Sequence, residues 1–284
     1  DRHHRSLFTF TSPETGDRVS RYFMFPKNGR ELQLRNSLIE EHTRLGNSTL
    51  NLIQAIGSDA LMALTTVTEQ MDTALKTDYS ARVKKYTSFC RENDLAMVTA
   101  QTDVKGDRSL RPAEQTDPDQ YVHIVERRRD GIVVRGAKAH TTGAPSANEI
   151  IVVPTRNMSE TEKDYAVAFA VPVNTPGVVL ICRPTGSMQQ SAFDYPVSRR
   201  NVETETITVF DDVFVPWERV FMAGEAKFAG ALALTFANHH RFTAISYKPP
   251  LGDLFIGAAQ LIAEANGIGG VSHVREKIAR LIAY

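Results

Sequence analysis

Residues 102–143, TDVKGDRSLRPAEQTDPDQYVHIVERRRDGIVVRGAKAHTTG, contain the clearest indications of the fold. Asp130 and Gly131 separate two runs of β-type residues, and this dipeptide predicts a tight hairpin. The second run passes into GAKAHTTG, residues 136–143, which is rich in small and hydroxyl side chains. That composition is unusual for a core strand, so we expect residues 136–143 to form a loop that contacts a ligand.

Charge and composition limit the possible functions. The 33 Lys and Arg balance the 33 Asp and Glu, so no overall positive field would attract nucleic acid or an anionic membrane. No apolar run approaches the roughly 20 residues that span a bilayer, and no signal peptide is evident. Cys90 and Cys182 are too few for a disulfide framework. We therefore expect a cytoplasmic protein that binds neither nucleic acid nor membrane. Because the first residue is Asp1 rather than Met, we expect the N-terminus to be incomplete.

Hydrophobic periodicity divides the 284 residues into three zones. Residues 31–93 repeat apolar side chains at helical intervals, and Asp78 is typical of a helix N-cap. Residues 95–216 contain short β-type runs separated by Gly, Pro and Asp, which indicates a compact barrel or sandwich. Helical periodicity then returns. We predict an α+β chain with three domains, at residues 1–94, 95–222 and 223–284.

Several separated motifs in this order resemble one family of flavoproteins. They are the 102–143 stretch, VFDDVFVPWERVFMAGE (209–225), ANHHR (237–241) and GDLFIGAAQLIAEANG (252–267). The chain resembles the 4-hydroxybutyryl-CoA dehydratase branch of the family that also includes 4-hydroxyphenylacetate 3-monooxygenase. The resemblance implies an acyl-CoA-dehydrogenase-like fold with an N-terminal helical domain, a central β-barrel and a C-terminal helical bundle. Members of the family are longer, so we expect the bundle to be incomplete in this chain.

The resemblance also implies a flavin site. It assigns FAD binding to Gln101, Thr102, Asp107, Arg108, Ser109 and Thr142, with the Thr142 hydroxyl near the flavin N5 atom. The residues suit this role, because a turn with backbone N–H groups, a hydroxyl and a cation can hold a pyrophosphate or a ring edge. The alternative is that KGDR is a surface turn and HTTG caps a strand. The sequence contains no GxGxxG motif of the Rossmann type.

Three side chains are candidates for catalysis. Glu205 precedes the β-type run TITVF, and its family counterpart lies beside the substrate. His240, in ANHHR, could act as a general base because a neutral imidazole is available near pH 7. Lys248 could bind a carboxylate or a thioester carbonyl. The alternatives are a solvated Glu205, a functional His239 in place of His240, and a Lys248 that only neutralises a helix end.

The resemblance further indicates that one cofactor is absent. In the dehydratase, three cysteines and one histidine hold a [4Fe–4S] cluster. The cysteine positions correspond here to Asn51, Ala55 and Tyr247, and only the histidine is present, as His240. Iron–sulfur clusters require soft thiolate ligands, so we predict that the protein has no iron–sulfur cluster and no metal site.

Three functions are compatible with these residues. The first is an FAD-dependent oxidoreductase, specifically a monooxygenase that receives reduced flavin from a flavin reductase. The second is a cluster-free acyl-CoA dehydratase or isomerase with His240 as base and Glu205 as proton partner. The third is a non-catalytic binding or scaffold protein. We favour the first, because the flavin loops are present and the cluster ligands are not. The substrate is expected to be an acyl-CoA or an aromatic acid, and the assembly a homotetramer.

Overall fold

The computed structural model describes residues 2–46, 53–184, 191–196, 198–199 and 204–283. Its helices are α1 (Arg2–Phe8), α2 (Gly29–Leu45), α3 (Ile53–Leu75), α4 (Tyr79–Glu92), α5 (Ala226–Ala265) and α6 (Ser272–Ala283). Its strands are β1 (Thr9–Thr11), β2 (Arg18–Ser20), β3 (Met97–Ala100), β4 (His123–Arg127), β5 (Gly131–Lys138), β6 (Glu149–Val152), β7 (Val167–Pro172), β8 (Val178–Cys182), β9 (Thr206–Pro216) and β10 (Val220–Ala223). The helical, β and helical zones therefore follow one another as the periodicity predicts. None of the helices described is long and apolar enough to cross a membrane.

The predicted hairpin is confirmed, because β4 and β5 pair antiparallel on either side of Asp130. The predicted central β-barrel is wrong for the part of the chain that the structure describes. The strands form two open four-stranded sheets, in the orders β10-β7-β6-β3 and β4-β5-β9-β8, and a small β1-β2 ribbon. Phe169 of β7 meets Phe210 of β9 edge to face at 5.6 Å, so the two sheets share an apolar core without closing on each other.

One edge of the first sheet is covered by a helix. Strand β3 pairs with β6, in parallel, and α3 packs against β3. This approach requires Gly57, because a Cβ atom there would lie 2.5 Å from the backbone oxygen of Met97. Helix α5 packs on both α2 and α3. The apolar core runs continuously from α3 and α4 through both sheets to α5, so the domain limits near residues 94 and 222 stay predictions.

Helix α4 begins where the sequence predicts, but its cap comes from another residue. Asp78 occupies the N-cap position and makes no capping hydrogen bond. Its carboxylate pairs with Arg82 instead. The Asp72 carboxylate accepts hydrogen bonds from the backbone N–H groups of Tyr79 and Ser80, at 2.9 and 2.8 Å. The first turn of α4 is thus held by the end of α3.

A buried ion pair joins the two large sheets. Lys138 and Asp103 are each 2% exposed, and the Lys138 Nζ atom lies 2.8 Å from Asp103 Oδ1. The same ammonium donates to the carbonyl oxygens of Gln101 and Val153, at 2.8 and 3.0 Å. Burial lowers the pKa of Lys138, and the Asp103 carboxylate opposes that shift. Backbone pairing with β9 extends β5 to Lys138, which lies opposite Thr208, so residues 136–138 are strand and the predicted loop begins at Ala139.

The ion pair leads to a prediction about stability. Lys138→Met should lower the free energy of unfolding by roughly 3–5 kcal/mol, because it leaves the Asp103 charge buried without its partner. Denaturant titration followed by circular dichroism measures this change. The control is Arg280→Met, which removes the exposed pair between Arg280 and Glu276 and should cost less than about 1 kcal/mol. Equal effects of the two substitutions would contradict the prediction.

Candidate functional site

A cavity of about 140 Å³ lies where the end of β3 meets α3, α5 and the loop after β5. Four of the residues that the sequence singles out line it together with four others. The lining residues are Ile56, Thr99, Gln101, Thr102, His140, Thr142, Phe236 and His240. Residues from four separate parts of the chain therefore converge on one small polar and aromatic space.

Gln101 and Thr102 follow β3 and are held by hydrogen bonds on both sides. The Gln101 carbonyl oxygen accepts from Lys138 Nζ and from Thr155 Oγ1, at 2.8 and 2.7 Å. The Gln101 side chain donates from Nε2 to the carbonyl oxygen of Ala233 on α5, at 3.2 Å. The Thr102 carbonyl oxygen accepts from the backbone N–H of Ala139 at 2.7 Å. This wall of the cavity is therefore fixed to the sheets and to α5.

Thr142 and Glu205 form a hydrogen-bonded pair. Thr142 Oγ1 donates to Glu205 Oε1 at 2.6 Å. The second carboxylate oxygen, Oε2, is buried and has no hydrogen-bond partner within the described residues. Backbone hydrogen bonds from Gly143 to Thr204 and from Thr141 to Thr206 hold the two segments together, at 2.8 and 2.9 Å. Glu205 is thus connected to the cavity by its hydrogen bond with Thr142, which lines it.

His240 lies on α5, and its ring stacks on that of Phe236 with centroids 5.6 Å apart and planes 6° apart. Its Nδ1 atom is buried and lies 3.6 Å from Asp59 Oδ2, while the side chain as a whole is 39% exposed. Asp59 is fully buried on α3 and forms an ion pair of 2.7 Å with the buried Arg35 of α2. Three helices therefore contribute to the surroundings of one imidazole.

The neighbouring His239 is in a different environment. It does not line the cavity, whereas His240 does. Burial lowers the pKa of His239. The charge on Asp59 raises this pKa by a smaller amount, and the charge on Arg35 lowers it further. Of the two histidines that the sequence leaves open, the geometry favours His240 as the one that a ligand in the cavity would meet.

Other predicted site residues are not brought to the cavity. Asp107, Arg108 and Ser109 are exposed in a turn, and the Asp107 carboxylate accepts from the Ser109 N–H and hydroxyl at 2.8 and 2.7 Å. The hydrogen bond from the Ser109 hydroxyl lowers the pKa of Asp107. Lys248 is exposed on α5, two helical turns beyond His240. The roles of these four residues stay predictions.

Two positions of the expected cluster cysteines lie in apolar surroundings. Ala55 is buried with Tyr22, Leu38 and Ile39, and Tyr247 packs against this group. The third position, Asn51, lies outside the described residues. Within the part of the chain that the structure describes, no three His, Cys, Asp or Glu side chains are grouped so as to hold a metal ion.

Sequence reasoning missed Arg35 and Asp59, as well as four residues that line the cavity. The missed lining residues are Ile56, Thr99, His140 and Phe236. A signal for Asp59 was available, because it is an acidic residue inside the apolar helical segment IGSDALMAL. His140 belongs to the small-residue stretch that suggested a ligand loop. It has a φ of +57°, which is uncommon for a residue other than glycine.

A larger groove of about 720 Å³ lies elsewhere, between the β1-β2 ribbon and helices α3 and α4. Phe10, Phe23 and Phe25 contribute apolar surface, and Glu14 pairs with Arg91 there. None of the site residues that the sequence singles out lines this groove. The smaller cavity is therefore the better candidate site.

Two family models match the chain. Residues 1–222 match the model described as 4-hydroxyphenylacetate 3-hydroxylase N terminal. Residues 229–284 match the model described as 4-hydroxyphenylacetate 3-hydroxylase C terminal. Nearly the whole chain is thus covered by the two models.

Curated proteins similar to the chain have two different activities. 4-Hydroxybutyryl-CoA dehydratase/vinylacetyl-CoA-Δ-isomerase from Clostridium aminobutyricum is 37% identical over 287 residues, which cover 99% of this chain and 58% of that protein. The oxygenase component of 4-hydroxyphenylacetate 3-monooxygenase from Thermus thermophilus is 34% identical over 290 residues, which cover 100% of this chain and 58% of that protein. The chain therefore spans little more than half the length of these relatives.

Solved structures similar to the chain also include both dehydratases and monooxygenases. An oxygen-tolerant archaeal 4-hydroxybutyryl-CoA dehydratase from N. maritimus has a TM-score of 0.92 and 34% identity, over 99% of this chain and 56% of that chain. The oxygenase component of 4-hydroxyphenylacetate 3-monooxygenase, complexed with FAD, has a TM-score of 0.89 and 31% identity, over 100% and 58% of the two chains. Butyryl-CoA dehydrogenase from Megasphaera elsdenii, at 15% identity and a TM-score of 0.59 over 90% and 60%, shares the fold alone. The expected acyl-CoA-dehydrogenase-like fold is confirmed.

The environment of His239 leads to a prediction about pH. Because burial lowers its pKa, the unfolded chain binds the proton first as the pH falls below about 6.5, and the native state loses stability in that window. His239→Gln should therefore flatten the decrease in unfolding free energy below about pH 6.5. Part of the slope should remain, since burial also lowers the pKa of His42.

Denaturant titrations at a series of pH values measure these slopes. The matched control is His273→Gln, which removes an imidazole that is exposed on α6 rather than one that is buried. If the His239→Gln slope equals that of the wild-type protein, burial of His239 does not govern acid stability.

Proposed function

The chain belongs to the 4-hydroxyphenylacetate 3-hydroxylase family, and from that premise we propose that the complete protein is an FAD-dependent monooxygenase that uses reduced flavin. The observation that carries the proposal is the cavity in which Thr142, paired with Glu205, lies together with Gln101 and His240. The proposal includes the absence of an iron–sulfur cluster. The relatives named as monooxygenases and the FAD complex of one of them support this choice.

The donor set of the cavity fits one edge of a flavin ring. That edge presents nitrogen and carbonyl groups, which the Gln101 amide and the Thr102 hydroxyl can meet. The Thr142 hydroxyl, whose hydrogen goes to Glu205, can only accept from a ring N–H. The cavity is smaller than the roughly 300–1,000 Å³ typical of cofactor sites, so this chain would enclose only part of the cofactor. We propose that Asp107, Arg108 and Ser109 meet the pyrophosphate outside it. Bound reduced FAD would supply the electrons that reduce one atom of dioxygen to water while the other enters the substrate.

The residues at the cluster positions do not fit an iron–sulfur cluster. Ala55 has no donor atom, and Tyr247 packs beside it in an apolar group. The two thiols of the chain lie elsewhere. Burial raises the pKa of Cys90 to about 12, so it stays protonated, and Cys182 is exposed at the end of β8. These observations support a mechanism without a cluster.

We assign roles to the residues around the cavity as follows. His240 accepts a proton from the substrate as general base. Glu205 holds the Thr142 hydroxyl in a single orientation and accepts or returns a proton through it. Lys248, exposed on the same helix as His240, is proposed to bind a carboxylate of the substrate. An aromatic acid with a phenolic hydroxyl supplies both a proton for His240 and an anion for Lys248.

A second candidate function is a cluster-free acyl-CoA dehydratase or isomerase. The observation in its favour is the similarity to the two dehydratases, at 37% identity and at a TM-score of 0.92. In this case His240 would remove a proton next to the thioester, and Glu205 would act as its proton partner. We rank it second because Ala55 and Tyr247, at two of the three cysteine positions, supply no thiolate and belong to one apolar group.

We further propose that the protein is a cytoplasmic homotetramer that receives reduced flavin from a separate reductase. The support for an oligomer is the exposed apolar surface of α5 and α6. Large side chains with more than half of their surface exposed there are Leu234, Ile245, Phe255, Leu261, Ile262 and Ile282.

The proposed activity can be tested on the full-length protein. With reduced FAD from an added flavin reductase, it should consume dioxygen and hydroxylate a 4-hydroxyphenyl acid, and it should contain neither iron nor acid-labile sulfide after anaerobic purification. Oxygen uptake, product analysis by mass spectrometry and metal analysis measure these results. Conversion of an acyl-CoA without oxygen would favour the second candidate. Stoichiometric iron and sulfide would contradict the absence of a cluster.

The role of His240 can be tested by substitution. His240→Ala should lower turnover by roughly 10²–10⁴-fold, the range for loss of general base catalysis, while the flavin content stays unchanged. The control is His239→Ala, which should have the smaller effect because His239 does not line the cavity. Loss of flavin or of folding in His240→Ala would show that His240 is structural. A larger effect of His239→Ala would identify His239 as the functional histidine.

A further inference from the structure

Three polar groups near the cavity are buried with unused hydrogen-bonding atoms. Within the described residues, Asp59 Oδ2, His240 Nδ1, and the Nε and Nη1 atoms of Arg35 have no hydrogen-bond partner. A buried polar atom without a partner costs roughly 1–3 kcal/mol, so such a group of them is rare unless it serves a purpose. Asp59 Oδ2 and His240 Nδ1 face each other at 3.6 Å, slightly beyond hydrogen-bond range.

Arg35 determines which oxygen of Asp59 is available to His240. Its Nη2 atom donates to Asp59 Oδ1 at 2.7 Å, to Ser58 Oγ at 2.8 Å and to the Ala55 carbonyl oxygen at 3.1 Å. The arginine thereby neutralises the buried carboxylate and occupies one oxygen. The other oxygen, Oδ2, is left for the imidazole.

We propose that Asp59, held by Arg35, is a positioning residue that keeps the proton of neutral His240 on Nδ1 and turns Nε2 toward the cavity. A carboxylate oxygen can only accept a hydrogen bond, so the imidazole nitrogen that faces it must be the protonated one. Nε2 lies across the ring and keeps its lone pair for a substrate proton. The inference rests on the proposed role of His240 as base.

His239 is the competing partner for the same carboxylate. The charge on Asp59 raises the pKa of His239 against the larger effect of burial, so the two groups interact electrostatically. In the structure, however, it is His240 whose ring nitrogen lies next to the Asp59 carboxylate. An experiment must therefore report on each histidine separately.

The test is Asp59→Asn. Arg35 will continue to donate to the side-chain oxygen at position 59, so the new amide will turn its NH₂ group toward His240. That group donates to Nδ1 and forces the proton of the imidazole onto Nε2. Nitrogen-15 NMR of histidine-labelled protein distinguishes the two tautomers, with the His240 signals assigned by their loss in His240→Gln. We expect the Nδ1–H form in the wild-type protein and the Nε2–H form in Asp59→Asn.

The control is Asp72→Asn, a carboxylate of the same helix that caps α4 and does not contact His240. It should lower stability and leave the His240 tautomer unchanged. If Asp59→Asn fails to fold, Arg35→Met/Asp59→Leu replaces the buried pair with apolar side chains, which proteins often tolerate. This double variant also removes the acceptor and should populate the Nε2–H form.

Turnover separates failure of this inference from failure of the proposed function. Asp59→Asn should lower turnover by roughly 10²-fold, the low end of a general base contribution, with little change in KM. An unchanged tautomer in a folded Asp59 variant overturns the inference, whatever the activity. A changed tautomer with full turnover supports the positioning and shows that His240 is not the base. A change confined to the His239 signals would show that Asp59 positions His239 rather than His240, and it would overturn the inference.

Discussion

A buried ammonium group must find acceptors for its protons, and the arrangement of the two sheets depends on how Lys138 finds them. Lys138 ends β5 in one sheet, and its Nζ atom reaches the carbonyl oxygens that directly follow β3 and β6 in the other. Because β3 and β6 are parallel, these two carbonyls lie side by side at one edge. Asp103 supplies the counter-charge. The same bonds that join the sheets thus hold Gln101 at the wall of the cavity.

The buried ion pair between Arg35 and Asp59 is built differently. Lys138 has an acceptor for each of its three protons, and its partner Asp103 also accepts from the Val122 N–H at 3.1 Å. Arg35 and Asp59, in contrast, each keep buried atoms that form no hydrogen bond within the described residues. A satisfied pair gives a rigid connection, whereas an unsatisfied pair retains the ability to bind or orient another group. The contrast suits the positions of the two pairs, since the first joins sheets and the second lies beside His240.

Local sequence signals predicted local structure well. They failed where the structure depends on contacts between residues that are distant in sequence. The Asp130-Gly131 dipeptide correctly located a hairpin, since β4 and β5 pair on either side of Asp130, although neither residue adopts the positive φ that this dipeptide usually supplies to a turn. Closure into a barrel depends on edge strands meeting, which no local pattern encodes, and the prediction was wrong. Residues 136–138 were expected to be loop, because their pairing partners, Thr208, Val209 and Phe210 of β9, are far away in sequence. The cavity residues Gln101, Thr142 and His240 came from a resemblance, whereas Asp59 pairs with Arg35 across 24 residues and was missed.

The Thr142 hydroxyl uses its only hydrogen in the hydrogen bond that it donates to Glu205, so toward the cavity it can act solely as an acceptor, through its lone pairs. An atom that approaches it with a hydrogen is attracted, and an atom that approaches with a lone pair is repelled. A bound ring nitrogen that gains a hydrogen on reduction changes from the second kind to the first. If such a ligand binds beside Thr142, the hydrogen bond between Thr142 and Glu205 would favour its reduced form, and retention of the ligand would depend on its redox state.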